Sequence, residues 1–313
     1  MKNTLLIALF SSALVFSCSK DDDDDHKPIA KESYPLPGDT LFPEGIVYQQ
    51  SSGKFYTGSV TSGDILKVDV KTGDVRTFAT GSAQGRKAAT GLKLDNQGRL
   101  WVCGGADNKV QVLSTDGSLL KSWNTQALFG SGFINDCIID TDFVYFTDSR
   151  VKKIYRTSVK GDPANLEEWL TFTDAQIPYT PTGVNANGIV TTPDNKYLII
   201  VVSSSGKLYR IDKITKAIQE ITLNSPVTSG DGLYLDNATL YVSRNATNLI
   251  FPVTLNADYS QGTVGSGFGN NLLFNTTIAK ADKYFLVVNG QLNRRNSDIG
   301  PQLPFSVSRV TIP

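Results

Sequence analysis

The chain has 313 residues, 40% of them hydrophobic and 19% charged, and its formal net charge is zero. That composition is ordinary for a globular core. The charge balance supplies no field that would draw the protein to nucleic acid or to an anionic membrane surface.

Lys2 precedes an apolar run, Leu5 to Phe16, interrupted only by Ser11 and Ser12. The run is too short to cross a bilayer as a helix, which needs about 20 apolar residues, but it suits the hydrophobic region of a signal peptide. Residues 1–17 are therefore read as a signal segment. Val15-Phe16-Ser17-Cys18 resembles the lipobox of bacterial lipoproteins, with Phe16 where a small residue is usual. The resemblance implies that Cys18 is the lipidated first residue; a conventional signal peptide cut elsewhere is the alternative. Residues 18–30 follow as a tether. Its five adjacent carboxylates, Asp21 to Asp25, repel one another and cannot be buried together. Ser19-Lys20 followed by these carboxylates resembles the surface-export tag of Bacteroidetes lipoproteins. It implies an outer-membrane lipoprotein displayed on the cell envelope, touching the membrane through its lipid alone; a plain spacer is the alternative.

From residue 31 onward, short apolar runs alternate with turns rich in Gly, Asp, Asn and Ser, which predicts an all-β domain. Gly45-Ile-Val-Tyr, Gly91-Leu-Lys-Leu, Asp136-Cys-Ile-Ile, Gly188-Ile-Val and Gly232-Leu-Tyr-Leu open successive units, and a sixth opens near Thr277. The spacing is about 45 residues, with one longer step. Each unit continues with a second run (Lys54-Phe-Tyr-Thr, Arg99-Leu-Trp-Val, Tyr197-Leu-Ile-Ile), a third (Ile65-Leu-Lys-Val, Lys207-Leu-Tyr-Arg) and a weaker fourth. Four strands per repeat of this length predict a blade, and six repeats predict one six-bladed β-propeller over residues 31–313. Glu32 to Leu36 is positioned to close the last blade.

The first strand of a blade lines the central channel, so the residues just before the six openings share one mouth. They are Glu44, Thr90, Asn135, Asn187, Asp231 and Thr276, all bearing side-chain oxygen. Asn and Asp also serve as turn residues at strand starts. Glu44 is not a turn former, and carboxylates from different blades converging on an axis call for a hard cation. The long segments Thr171–Val184 and Asn289–Pro304 are expected to overhang the same mouth.

Phe42-Pro43-Glu44-Gly45, Ile134-Asn135-Asp136, Ala186-Asn187-Gly188-Ile189 and Gly230-Asp231-Gly232-Leu233, in this order, resemble the signature positions of the gluconolactonase/regucalcin (senescence marker protein) family. The resemblance spans Leu36 to Pro313. It implies one divalent ion, Ca²⁺ or Zn²⁺, held by Glu44, Asn187 and Asp231; the all-oxygen donor set of those residues favours Ca²⁺, with Mg²⁺ as an alternative. It also implies Asp231 as general base and Asn135 as a substrate contact or further ligand. Sugar-lactone members carry an arginine where this chain has Phe133, so a less polar lactone or ester is expected. Arg86, Lys87, Arg294 and Arg295 are candidates for a substitute cation, with Arg86 and Arg294 taken as substrate-binding.

His26, in the tether, is the only histidine. A Ser-His-Asp triad, a Cys-His dyad and histidine-ligated zinc are thereby excluded from the propeller. Cys103 and Cys137 fall in neighbouring blades, with a disulfide and two buried thiols both open. The expected function is metal-dependent hydrolysis of a lactone or related ester by a monomer acting on a small molecule. The alternative is a non-catalytic surface propeller that binds a glycan, peptide or protein.

Overall fold

The computed structural model describes residues 31–313. The signal segment, Cys18 and the acidic tether lie outside the described residues.

Strand β1 (Ser33–Leu36) is followed by six antiparallel meanders. The first comprises β2 (Pro43–Gln49), β3 (Lys54–Ser59), β4 (Ile65–Asp69) and β5 (Val75–Ala79). The second comprises β6 (Leu92–Leu94), β7 (Leu100–Cys103), β8 (Lys109–Leu113) and β9 (Leu119–Asn124). The third comprises β10 (Ile134–Ile139), β11 (Phe143–Asp148), β12 (Lys153–Ser158) and β13 (Glu167–Thr171). The fourth comprises β14 (Ala186–Thr191), β15 (Tyr197–Val202), β16 (Lys207–Asp212) and β17 (Ile218–Leu223). The fifth comprises β18 (Gly230–Asp236), β19 (Thr239–Arg244), β20 (Leu249–Leu255) and β21 (Gln261–Val264). The last has β22 (Asn275–Ala281), β23 (Tyr284–Asn289) and β24 (Phe305–Thr311), and β1 completes it by pairing antiparallel with β24. The fourth and fifth meanders merge into one eight-stranded sheet through a two-residue parallel contact between β17 and β21.

Local chemistry explains the turns. Between β4 and β5, Asp69 Oδ1 accepts from the backbone N–H groups of Lys71 and Thr72, and Gly73 takes a φ of 77°. Asp212 does the same with Ile214 and Thr215 between β16 and β17. An Asp that captures two following amides ends a strand without leaving donors unpaired.

Packing closes the ring. Each apolar cluster lies between two adjacent meanders: Tyr56, Ile65, Leu92 and Leu100 between the first and second, and Trp101, Val110, Phe146 and Tyr155 between the second and third. The series continues round to Tyr34, Phe55, Leu286 and Val307, which join the last to the first. Strand β15 shows why its sequence is apolar throughout: Leu198, Ile200 and Val202 face one cluster, and Ile199 and Val201 face the next. A strand buried on both faces loses the alternation of a half-exposed one. The inner strands β2, β6, β10, β14, β18 and β22 touch in a closed cycle around a channel. The described residues thus form an all-β propeller of four-stranded units.

Candidate metal centre at the channel mouth

Five inner strands carry the same irregularity. Their register against the second strand shifts between Pro43 and Ile46, Ile134 and Cys137, Ala186 and Ile189, Gly230 and Leu233, and Asn275 and Ile278. Each shift is a one-residue β-bulge, and bulges re-aim side chains. The bulged pairs are Glu44-Gly45, Asn135-Asp136, Asn187-Gly188, Asp231-Gly232 and Thr276-Thr277, so the polar ring is set by the bulges. The second member of a pair is usually Gly because the neighbouring inner strand passes against it. A Cβ on Gly45 would lie 1.9 Å from the carbonyl oxygen of Thr90, and one on Gly188 would lie 2.2 Å from that of Asp231. Two residues ahead of Glu44, Asp231 and Thr276, the non-glycine residues Phe42, Ser229 and Phe274 take positive φ values of 42°, 60° and 47°. Such conformations are costly for bulky side chains and cluster at functional sites.

Glu44, Asn135, Asn187 and Asp231 line one cavity of ≈ 500 Å³. All four are buried. Thr90 and Thr276 are ring members of another kind. Thr90 Oγ1 donates to the backbone carbonyls of Ile134 and Asn135 at 2.9 and 2.8 Å, and Thr276 Oγ1 donates to that of Glu44 at 2.8 Å. Their hydroxyls are spent on stitching blades together, which leaves two carboxylates and two amides facing the cavity.

Each amide is held through its Nδ2 by a serine. Asn135 Nδ2 donates to Ser149 Oγ at 2.9 Å, and Ser149 passes a hydrogen bond to the carbonyl of Ala186 at 2.6 Å. Asn187 Nδ2 donates to Ser203 Oγ at 3.0 Å, and Ser203 donates to the carbonyl of Gly230. Each serine sits just after a second strand and spans two blades. Asn245 Nδ2 donates to Asp231 Oδ2 at 3.0 Å.

What remains is a set of oxygens without partners. Among the described residues, Glu44 Oε2, Asn135 Oδ1 and Asp231 Oδ1 are buried and accept no hydrogen bond. Leaving one such acceptor unpaired costs about 1–3 kcal/mol, more for a charged group. Three in one cavity mark a site waiting for a shared donor or cation. Burial, then the nearby Asp231 and Asp136 charges, drive the Glu44 carboxyl well above its ordinary range. Burial, then Asp136, raise Asp231 to about 7, against the opposing pull of Asn245 and Asn187. Asp136 is itself buried and pairs at 3.9 Å with Lys93. The all-oxygen donor set fits a hard divalent ion. Among the described residues no three His, Cys, Asp or Glu side chains form a metal-binding group, so the amide oxygens are needed to complete the set.

The cationic candidates separate. Arg86 was expected at the substrate. It is instead packed inside the ring wall, 1% exposed, donating to the carbonyl of Gly63 and to the side chains of Gln84 and Gln111. The reason is its place behind the turn at Gly63, beside the mouth rather than over it. Arg294 folds back onto the carbonyl of Gly300 and does not line the cavity. Its neighbour Arg295 does, together with Leu292, Asn293 and Asn296, while Gly183 and Val184 line it from the other long segment. Cys103 and Cys137 are buried free thiols, and burial, then contact with Cys137, push the Cys103 thiol up.

No protein family matches the chain by sequence, and no curated protein does. Solved structures match it in fold. The calcium-binding protein regucalcin of Agrobacterium tumefaciens is 14% identical with a TM-score of 0.65, over 90% of this chain and 95% of that one. The major allergen Mala s 1 of Malassezia sympodialis is 15% identical with a TM-score of 0.67, over 90% and 96%. A streptogramin B lyase is 15% identical with a TM-score of 0.61, over 90% and 87%. At these identities the likeness establishes the β-propeller fold alone.

Proposed function

We propose that this propeller is a divalent-metal-dependent hydrolase of a lactone or related ester, anchored to the cell envelope through Cys18 and acting on a small molecule. The observation that carries the reading is the trio of buried oxygens without partners, Glu44 Oε2, Asn135 Oδ1 and Asp231 Oδ1, in one cavity. Glu44, Asn187 and Asp231 would hold the ion, Ca²⁺ by preference, with Asn135 as a fourth ligand or as a substrate contact. Ca²⁺ binding by regucalcin, a structure of like fold, is consistent with that choice.

The ion would supply Lewis acidity toward a substrate carbonyl and acidify water beside it. The chain's own residues do the rest. Asp231 keeps one carboxylate oxygen on Asn245 and one toward the cavity, so it can take a proton from an attacking water without losing its position. Ser149 and Ser203 each hold one amide Nδ2, which leaves the Asn135 oxygen free for the ion. With no histidine in residues 31–313, a carboxylate is the available base of suitable strength.

The test is a lactone and ester panel assayed with Ca²⁺, comparing wild type with Asp231→Asn. The proposal expects turnover of at least one substrate that chelation abolishes and the variant lowers by about 10²-fold. Turnover indifferent to chelator and to the substitution would overturn it. Calcium binding with no turnover across the panel would favour a binding module.

A further inference from the structure

On the reading of this cavity as a metal-dependent ester site, we infer that its substrate carries a carboxylate on an apolar body, and that Arg295 receives the carboxylate. The inference rests on how the roof of the cavity is built. The segment Leu292–Asn296 reaches over the oxygen-lined floor and contributes Leu292, Asn293, Arg295 and Asn296 to the lining. It is not a loose loop. At its base Gln291, 1% exposed, donates through Nε2 to the carbonyl of Gln302 at 2.8 Å and accepts from the Gln302 N–H at 2.7 Å. Arg294 closes the far side onto Gly300. A segment pinned at its base and braced from within presents the next residue in a defined place.

The Arg295 guanidinium has no hydrogen bond or ion pair among the described residues, although most arginines of this chain are spent on carbonyls, carboxylates or aromatic rings. Val60, Phe133, Val184 and Phe274 give the same cavity apolar wall, beside the polar Ser204, Ser229 and Asn245. An unspent planar cation over a cavity with apolar wall and a metal-ready floor fits a ligand with three parts. These are a carbonyl for the ion, a hydrocarbon body for the walls, and a carboxylate for the guanidinium, which matches that group two N–H to two O.

Electrostatics adds a condition. Without a cation the floor offers an incoming carboxylate the unpaired acceptor oxygens of Glu44, Asn135 and Asp231, and nothing there to pair with it. Carboxylate binding should therefore require the ion, and each should tighten the other.

The experiment is calorimetry with hexanoate and its neutral amide, hexanamide, on the protein with and without Ca²⁺. The Ca²⁺-loaded wild type should bind hexanoate about tenfold tighter than hexanamide, the scale of one charged hydrogen-bonded contact. Added salt should erode the preference, because Arg295 is exposed. Arg295→Gln, a surface change that leaves the blades intact, should abolish the preference while calcium affinity stays the same, and Arg295→Lys should keep part of it. Equal binding of the two probes, or a preference that survives Arg295→Gln because hexanoate merely sits on the ion, would overturn the inference and leave the metal site standing. Absence of calcium binding would remove the metal reading itself, and this inference with it.

Discussion

The two ends of the channel are built from the same six strands and treat polar groups in opposite ways. Below the ring the cavity is walled by Ile46, Ile138, Val190, Leu233 and Ile278, and its two cations both have acidic partners. Lys93 pairs with Asp136, and Lys280 with Asp236. Burial tends to discharge Lys93, yet the surrounding acidic groups, Asp136 foremost, hold its pKa above the ordinary lysine value. At the upper mouth the carboxylates and amides are more deeply buried, and three of their oxygens have no partner at all. A fold that satisfies its polar groups at one end and leaves them open at the other has kept the open end for something that binds there.

This contrast predicts opposite effects of substitution. At the closed end, Lys93→Met should strand the buried Asp136 carboxylate and destabilise the protein by about 3 kcal/mol, the scale of removing one partner of a buried pair. Chemical denaturation reads it, and an unchanged midpoint would break the comparison. At the open end, Glu44→Gln should raise the melting temperature of the metal-free protein as pH rises, because burial and the neighbouring Asp231 and Asp136 charges disfavour ionised Glu44, while abolishing stabilisation by calcium. A lowered melting temperature without metal would mean that Glu44 is satisfied in a way the geometry does not provide.

A smaller effect belongs to the serines. Ser203→Ala frees the Asn187 amide to rotate and should weaken calcium binding by about tenfold, the lower end for residues that orient metal ligands. Asn187→Ala in that background should then cost little more, whereas independent effects would argue that Ser203 is a packing residue only.

The pH dependence is the gentlest probe. The folded-state pKa of Asp231 lies near 7 against an unfolded value near 3.8, and that of Glu44 is raised as well. A carboxyl whose pKa is higher in the folded state binds its proton more tightly there. Its contribution to stability is fully present below the unfolded value and is lost as pH rises through the folded one. The metal-free protein should therefore lose stability between about pH 4 and 7, and calcium, which displaces those protons, should bind more tightly as pH rises through 7. Melting curves across that range, with and without calcium, check both signs.

Much of this was legible in the sequence because it rests on local rules. The blade repeat follows from apolar runs and Asp-anchored turns, and the ring follows from asking what stands before each opening. The special status of Glu44 follows from its being no turn former. Other features were not legible because they are made between blades. Thr90 and Thr276 look like ring oxygens, yet their hydroxyls are committed to neighbouring carbonyls. Ser149, Ser203 and Asn245 orient the site from the ends of second strands, where serine and asparagine also serve as turn formers. A serine following the second strand in the two blades that carry ring asparagines was the available signal. Asp136 stands in a place that glycine fills in four other blades, and its pairing with Lys93 is made between blades. Arg294 and Arg295 are adjacent and chemically alike, and only the fold of their segment turns one inward.

Isothermal titration of the purified, chelator-stripped protein with calcium tests the central claim most directly. The account predicts one ion per chain, lost in both Glu44→Gln and Asp231→Asn and retained in Arg295→Gln. A wild-type protein that takes up no divalent ion at millimolar concentration would contradict it.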